Sequence, residues 1–137
     1  MKLTQSLALL VGAAFTIPFA LANYHILHVT DDVGSGNKFI ACPSNQYGCN
    51  CFENGVSSVE VVVNPLESNF IYINSGLCGM GQLDLYLRSY NNWDIYQHGG
   101  DGTLQGRCSS TETSTKCGNS KVQYRDVMIC ETYICGN

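Results

Sequence analysis

Apolar and polar residues alternate with a period of two over several short runs, and no helical repeat competes with that pattern. Tyr24 to Val29 (YHILHV) is rich in β-forming residues and predicts a first strand. Ser58 to Val63 (SVEVVV) predicts another, ended by Asn64-Pro65 because proline cannot continue a central ladder. Asn69 to Asn74 (NFIYIN), the two arms of a hairpin within Gly81 to Gly102, and Lys121 to Cys135 complete six extended runs. The segment from Asp31 to Lys38 reads as a loop. Cys42 to Gly55 is rich in turn residues, with one short helix expected near Ser44, and the Ser/Thr-rich Ser109 to Ser120 reads as a solvated loop. The fold class expected is α+β, mainly β: a small single domain around an antiparallel sheet, with at most short helices.

The hairpin GQLDLYLRSYNNWDIYQHGGDG concentrates the chemistry. A three-residue loop, Tyr90-Asn91-Asn92, with Asn92 in the left-handed conformation, would set Leu87 opposite Ile95 and Ser89 opposite Trp93. The leucines and Trp93 then share a buried face. The other face pairs Arg88 with Asp94, Tyr86 with Tyr96 and Asp84 with His98. A slip by one residue would exchange the faces, so burial of the leucines selects this parity.

Composition changes the picture in three ways. Lys2, the apolar run Leu7 to Leu21 and Ala20-Leu21-Ala22 describe a secretory signal peptide over residues 1–22, leaving a domain over residues 23–137. All eight cysteines, Cys42, Cys49, Cys51, Cys78, Cys108, Cys117, Cys130 and Cys135, fall in that domain. An even number in a short exported chain implies a disulfide framework, whose pairing the sequence leaves open. In Cys49-Asn50-Cys51 the two sulfurs are expected to reach different strands. Beyond the leader, six basic residues face eleven acidic ones. That balance argues against nucleic acid and against insertion into an anionic membrane. No metal or other cofactor is called for, since the single GGDG at Gly99 to Gly102 reads as a turn.

Two bare tyrosines beside ionic residues suit a sugar. The C–H face of a pyranose lies on an aromatic ring while carboxylates, guanidinium and imidazole orient its hydroxyls. The expected ligand-binding set is Tyr86, Arg88, Asp94, Tyr96, His98 and Asp101, in a secreted, non-enzymatic carbohydrate-binding protein. Two alternatives stand beside it. One is a secreted ribonuclease-like enzyme using His25, His28, Glu60, Arg88 and His98. The other is a toxin or effector acting through a protein partner. Homodimerisation through an exposed strand edge would supply avidity.

Leu77 to Tyr86 (LCGMGQLDLY), Trp93 to Cys108 (WDIYQHGGDGTLQGRC), Val122 to Cys135 (VQYRDVMICETYIC) and Ser44 to Gly55 (SNQYGCNCFENG) resemble the small secreted fungal glycan-binding lectins of the inky-cap mushroom type. The resemblance implies a fungal source, a disulfide-braced domain, lectin activity and an N-acetylhexosamine-containing oligosaccharide as partner.

Overall fold

The first strand states the architecture. Tyr24 and Ile26 lie on one face and Leu27 and Val29 on the other, and all four are buried. A strand with both faces buried must have something packed on each side. The computed structural model describes residues 22–31, 37–53, 58–117 and 122–135. The proposed leader falls outside the described residues, apart from Ala22.

Eight antiparallel strands in sequence order close into a barrel. They are β1 (Ala22–Asp31), β2 (Lys38–Pro43), β3 (Val59–Val61), β4 (Phe70–Ile73), β5 (Leu83–Ser89), β6 (Asn92–Gln97), β7 (Leu104–Lys116) and β8 (Val122–Thr132). β1 pairs with both β2 and β8, which completes the ring. Among the described residues, closure pairs every strand on both sides, so the sheet offers no free edge strand there for the dimer pairing expected from the sequence. The helical share is small: a 3-10 turn at Ser44–Gln46, where a short helix was expected, another at Leu77–Gly79, and the four-residue α1 (Asn50–Glu53). The domain is therefore mainly β, and the α half of the α+β expectation shrinks to these turns.

The barrel interior holds Tyr24, Ile26, Ile71, Ile73, Leu83, Leu85, Trp93, Ile95, Val127 and Met128. Burial of the Tyr24 hydroxyl pushes its pKa well above the usual phenol range. Gly106 lets β7 approach β8, since a Cβ there would collide with the Glu131 carbonyl oxygen and Thr132. Two strands depart from the sequence reading. β2 is not among the expected runs, its ends falling in the expected loop and turn-rich segments and Phe39 to Ala41 in neither, and β7 runs through the Ser/Thr segment expected to be a solvated loop. Threonine is a good strand former, and pairing with β8 satisfies the β7 backbone.

A second apolar cluster sits outside the barrel. It comprises Leu27, Val29, Ile40, Cys42, Cys51, Cys117 and Tyr124, with Tyr47 and Cys49 packed against it. Its lid is the segment Ser44 to Glu53, pinned by Cys42–Cys51 and Cys49–Cys117. The two cysteines of Cys49-Asn50-Cys51 do bridge to different strands' ends. Cys78–Cys135 and Cys108–Cys130 complete the four bridges.

Candidate functional site

The hairpin keeps the expected faces but not the expected register. Leu85 stands opposite Ile95, Leu87 opposite Trp93 and Ser89 opposite Asn92. The turn is Tyr90-Asn91, and Asn91 rather than Asn92 takes the left-handed conformation, at φ 62°. The ladder is irregular between Leu87 and Ser89, so Arg88 is the extra residue of a bulge. Pairing thus shifts by two residues, which changes partners without exchanging faces. Leu85 and Trp93 are buried, as expected, while Tyr86 remains 48% exposed. Leu87, at the end of the barrel, is the one hairpin leucine that meets solvent.

On the outer face the register builds two rows across the strands. One runs Tyr72, Asp84, Tyr96, Leu104 from β4 to β7, and a backbone bond from Val62 to Tyr72 continues it to Val62. The other runs Phe70, Tyr86, Asp94, Arg107. The rings meet: Phe70 and Tyr86 centroids are 4.9 Å apart, and Tyr86 and Tyr96 are 5.9 Å apart at an interplanar angle of 64°. Phe70 and Tyr72 add their rings from β4 at 6.2 Å. Edge and tilted contacts of this kind stabilise rings that water would otherwise separate.

The polar groups flank the rings. Asp84 lies between Tyr72 and Tyr96 in its row and is buried. Its two oxygens accept from His98 Nδ1 at 2.8 Å and from Gln82 Nε2 at 3.0 Å. A carboxylate only accepts, so the proton is on Nδ1, and the other ring nitrogen of this 62% exposed side chain is left to solvent or ligand. Asp94 accepts from Arg107 Nε at 3.0 Å and lies 3.9 Å from Arg88. The Asp84–His98 and Arg88–Asp94 contacts expected as direct partners are therefore made on the diagonal, and Arg107 takes the direct position.

Asp101 is placed elsewhere. Its carboxylate accepts from the Thr103 backbone N–H at 2.9 Å, and bonding to Thr103 holds its pKa below the usual carboxylate range. It lines a separate cleft of about 490 Å³ with Gln97, Gly100, Gly102, Thr103 and Gln105, which no residue of the aromatic rows lines. The residues that sequence reasoning missed are Phe70, Tyr72, Gln82 and Arg107. The first two were legible: Ile71 and Ile73 fix the inward parity of NFIYIN, which turns Phe70 and Tyr72 outward.

The other outer wall carries a second histidine–aspartate pair. His25 Nδ1 donates to Asp126 at 2.7 Å, and the Tyr47 hydroxyl donates to the same oxygen at 3.0 Å. Asp126 Oδ1 is buried without a hydrogen-bond partner among the described residues. Burial, and then the Asp126 charge, pushes the Tyr47 phenol well above its usual range. The ribonuclease set does not assemble. His25 belongs to this covered wall, His98 to the bare one, and His28 stacks on Phe39 at 4.6 Å. Glu60 accepts from Asn74 at 3.4 Å, apart from all three. Among the described residues no group of three or more His, Cys, Asp or Glu is arranged to hold a metal, and no helix is long and apolar enough to cross a membrane. Comparison of the chain with family models, curated proteins and solved structures finds no match.

Proposed function

We propose that the chain is a secreted, non-enzymatic carbohydrate-binding protein whose ligand lies across the outer face of β4, β5 and β6. The observation that carries this reading is the ring cluster of exposed Phe70 and Tyr86 with half-buried Tyr72 and Tyr96, set between the Asp84–His98 and Asp94–Arg107 pairs. Three strands span about 10 Å, the width of one or two sugar rings. Stacking on the tyrosines supplies contact area, while His98, Arg88, Arg107 and the carboxylates orient hydroxyls. The surface is shallow, so a single sugar binds weakly and a branched or repeated glycan gains by multivalency. The likeness of several segments to fungal glycan-binding lectins agrees with this reading, and with an N-acetylhexosamine-containing oligosaccharide as ligand. Four disulfides in so small a domain fit an extracellular protein. Asp101 leaves the ligand-binding set, which gains Phe70, Tyr72 and Arg107.

The test is a glycan array with the oxidised chain, repeated with Tyr86→Ala/Tyr96→Ala. Each ring contributes about 1 kcal/mol, so the double variant should bind its best glycan roughly thirtyfold more weakly. A folded double variant with unchanged binding refutes the site. A blank array with a protein receptor captured instead refutes the function.

A further inference from the structure

At one end of the barrel, β1, β7 and β8 outrun their shorter neighbours, and the concave face there is polar. The register sets Phe39, His28, Arg125 and Ser114 in one row and Thr30, Gln123 and Lys116 in the next. His28, Thr30, Ser114, Gln123, Tyr124 and Arg125 line a cavity of about 240 Å³. The His28 ring lies nearly parallel to Phe39, at 17°, and forms part of the same row.

Three features separate this cavity from an ordinary wet surface. Arg125 Nε is buried and has no hydrogen-bond partner among the described residues. Such a group in a native interior calls for an acceptor, the more so when it is charged. Arg125 also has no carboxylate within ion-pair distance among those residues. Its neighbour Asp126 faces the opposite side of the strand, toward His25 and Tyr47. Finally, in a chain with few cations, Arg125 and Lys116 fall in adjacent rows here, beside His28 and donors from Thr30, Ser114 and Gln123. Partial burial and then the Arg125 charge hold the His28 pKa below its usual value, a sign that these two groups feel one another.

We propose that this concave end binds a compact oxyanion, a carboxylate or a sulfate, with the Arg125 guanidinium as its principal donor. The volume lies just under the roughly 300 Å³ at which sites for larger ligands begin, so the occupant is small. Thr30, Ser114 and Gln123 complete its hydrogen bonds, and the guanidinium fork favours a planar or tetrahedral array of oxygens over a halide. The site shares no residue with the aromatic rows, and its test is independent of the glycan reading.

The oxidised chain, labelled with ¹⁵N, is titrated separately with sodium sulfate, sodium acetate and sodium chloride, following the Arg125 Nε–Hε resonance. Saturable shifts are expected with sulfate or acetate and not with chloride, and the stronger of the two identifies the oxygen geometry. Arg125→Gln should abolish saturation at the cavity's backbone amides, and Arg125→Lys should weaken it about tenfold. Lys38→Gln, an exposed charge on β2, should change nothing. Equal, non-saturating shifts with all three salts, or undiminished binding in Arg125→Gln, overturn the proposal. If Arg125→Gln does not fold, Ser114→Ala/Gln123→Ala replaces it: weaker binding supports the site, and unchanged binding overturns it.

Discussion

The barrel bears a histidine–aspartate pair on each of two outer walls, with nearly the same geometry and different surroundings. His25 and Asp126 meet at 2.7 Å beneath the Ser44 to Glu53 lid, where their side chains are 15% and 3% exposed. His98 and Asp84 meet at 2.8 Å with no lid over them, where the carboxylate is 10% exposed and the imidazole 62%. The contact is alike; the cover is not. Removing His25 leaves the Asp126 carboxylate under the lid, whereas removing His98 opens Asp84 to the water that already surrounds the imidazole, with Gln82 still bonded to it. The first pair therefore belongs to the fold, and the second is available to a ligand.

The sharpest way to break this contrast is to release the lid. Cys49→Ser/Cys117→Ser opens a loop whose ends are 68 residues apart, and a chain-entropy estimate puts the loss near ~4 kcal/mol. Denaturant unfolding should show that loss, and exposed apolar dye binding should rise as the outer cluster meets water. Next, His25→Ala should cost about 3 kcal/mol, because Asp126 stays buried with one bond fewer, while His98→Ala should cost about 1 kcal/mol or less. Equal losses in urea unfolding would erase the distinction between the walls. Smaller still, Tyr86→Ala/Tyr96→Ala should lower stability by about 1 kcal/mol, far less than the removal of two core rings. The smallest effect is a slope. His28 titrates below 6.5 in the folded chain, so between that value and its folded one the unfolded chain binds more protons. Stability contributed there is present above pH 6.5 and declines on acidification, and His28→Gln should flatten that part of the stability–pH curve.

Much of this was legible in the residues, and the failures have physical causes. The strands β1, β3, β4, β5, β6 and β8 announce themselves because one face is apolar or because β-branched and aromatic residues crowd together. KFIACP, the β2 strand, shows no alternation, since Phe39 and Ala41 pack inside while Ile40 and Cys42 pack under the lid. β7 carries serine and threonine past the point where the barrel needs it to be apolar, so its composition mimics a loop. The bareness of Tyr86 followed from burying Leu83 and Leu85. The two-residue shift did not, because nothing in LRSYNN marks Arg88 as a bulge. Arg107 became visible as a partner only once β7 was known to lie beside β6.

The placement of the Cys49–Cys117 bridge has a consequence for how the chain matures. As the polypeptide emerges, Cys42 and Cys51 are within reach of Cys49 long before Cys117 has been made. The nearest thiols are then the wrong choice for it. Cys78 waits likewise for Cys135 and Cys108 for Cys130. Cys42–Cys51, only nine residues apart, is both local and native, so closing it first leaves Cys49 free for Cys117, whereas an early bridge from Cys49 to either neighbour has to be undone by thiol exchange before the lid can lock over His25 and Asp126.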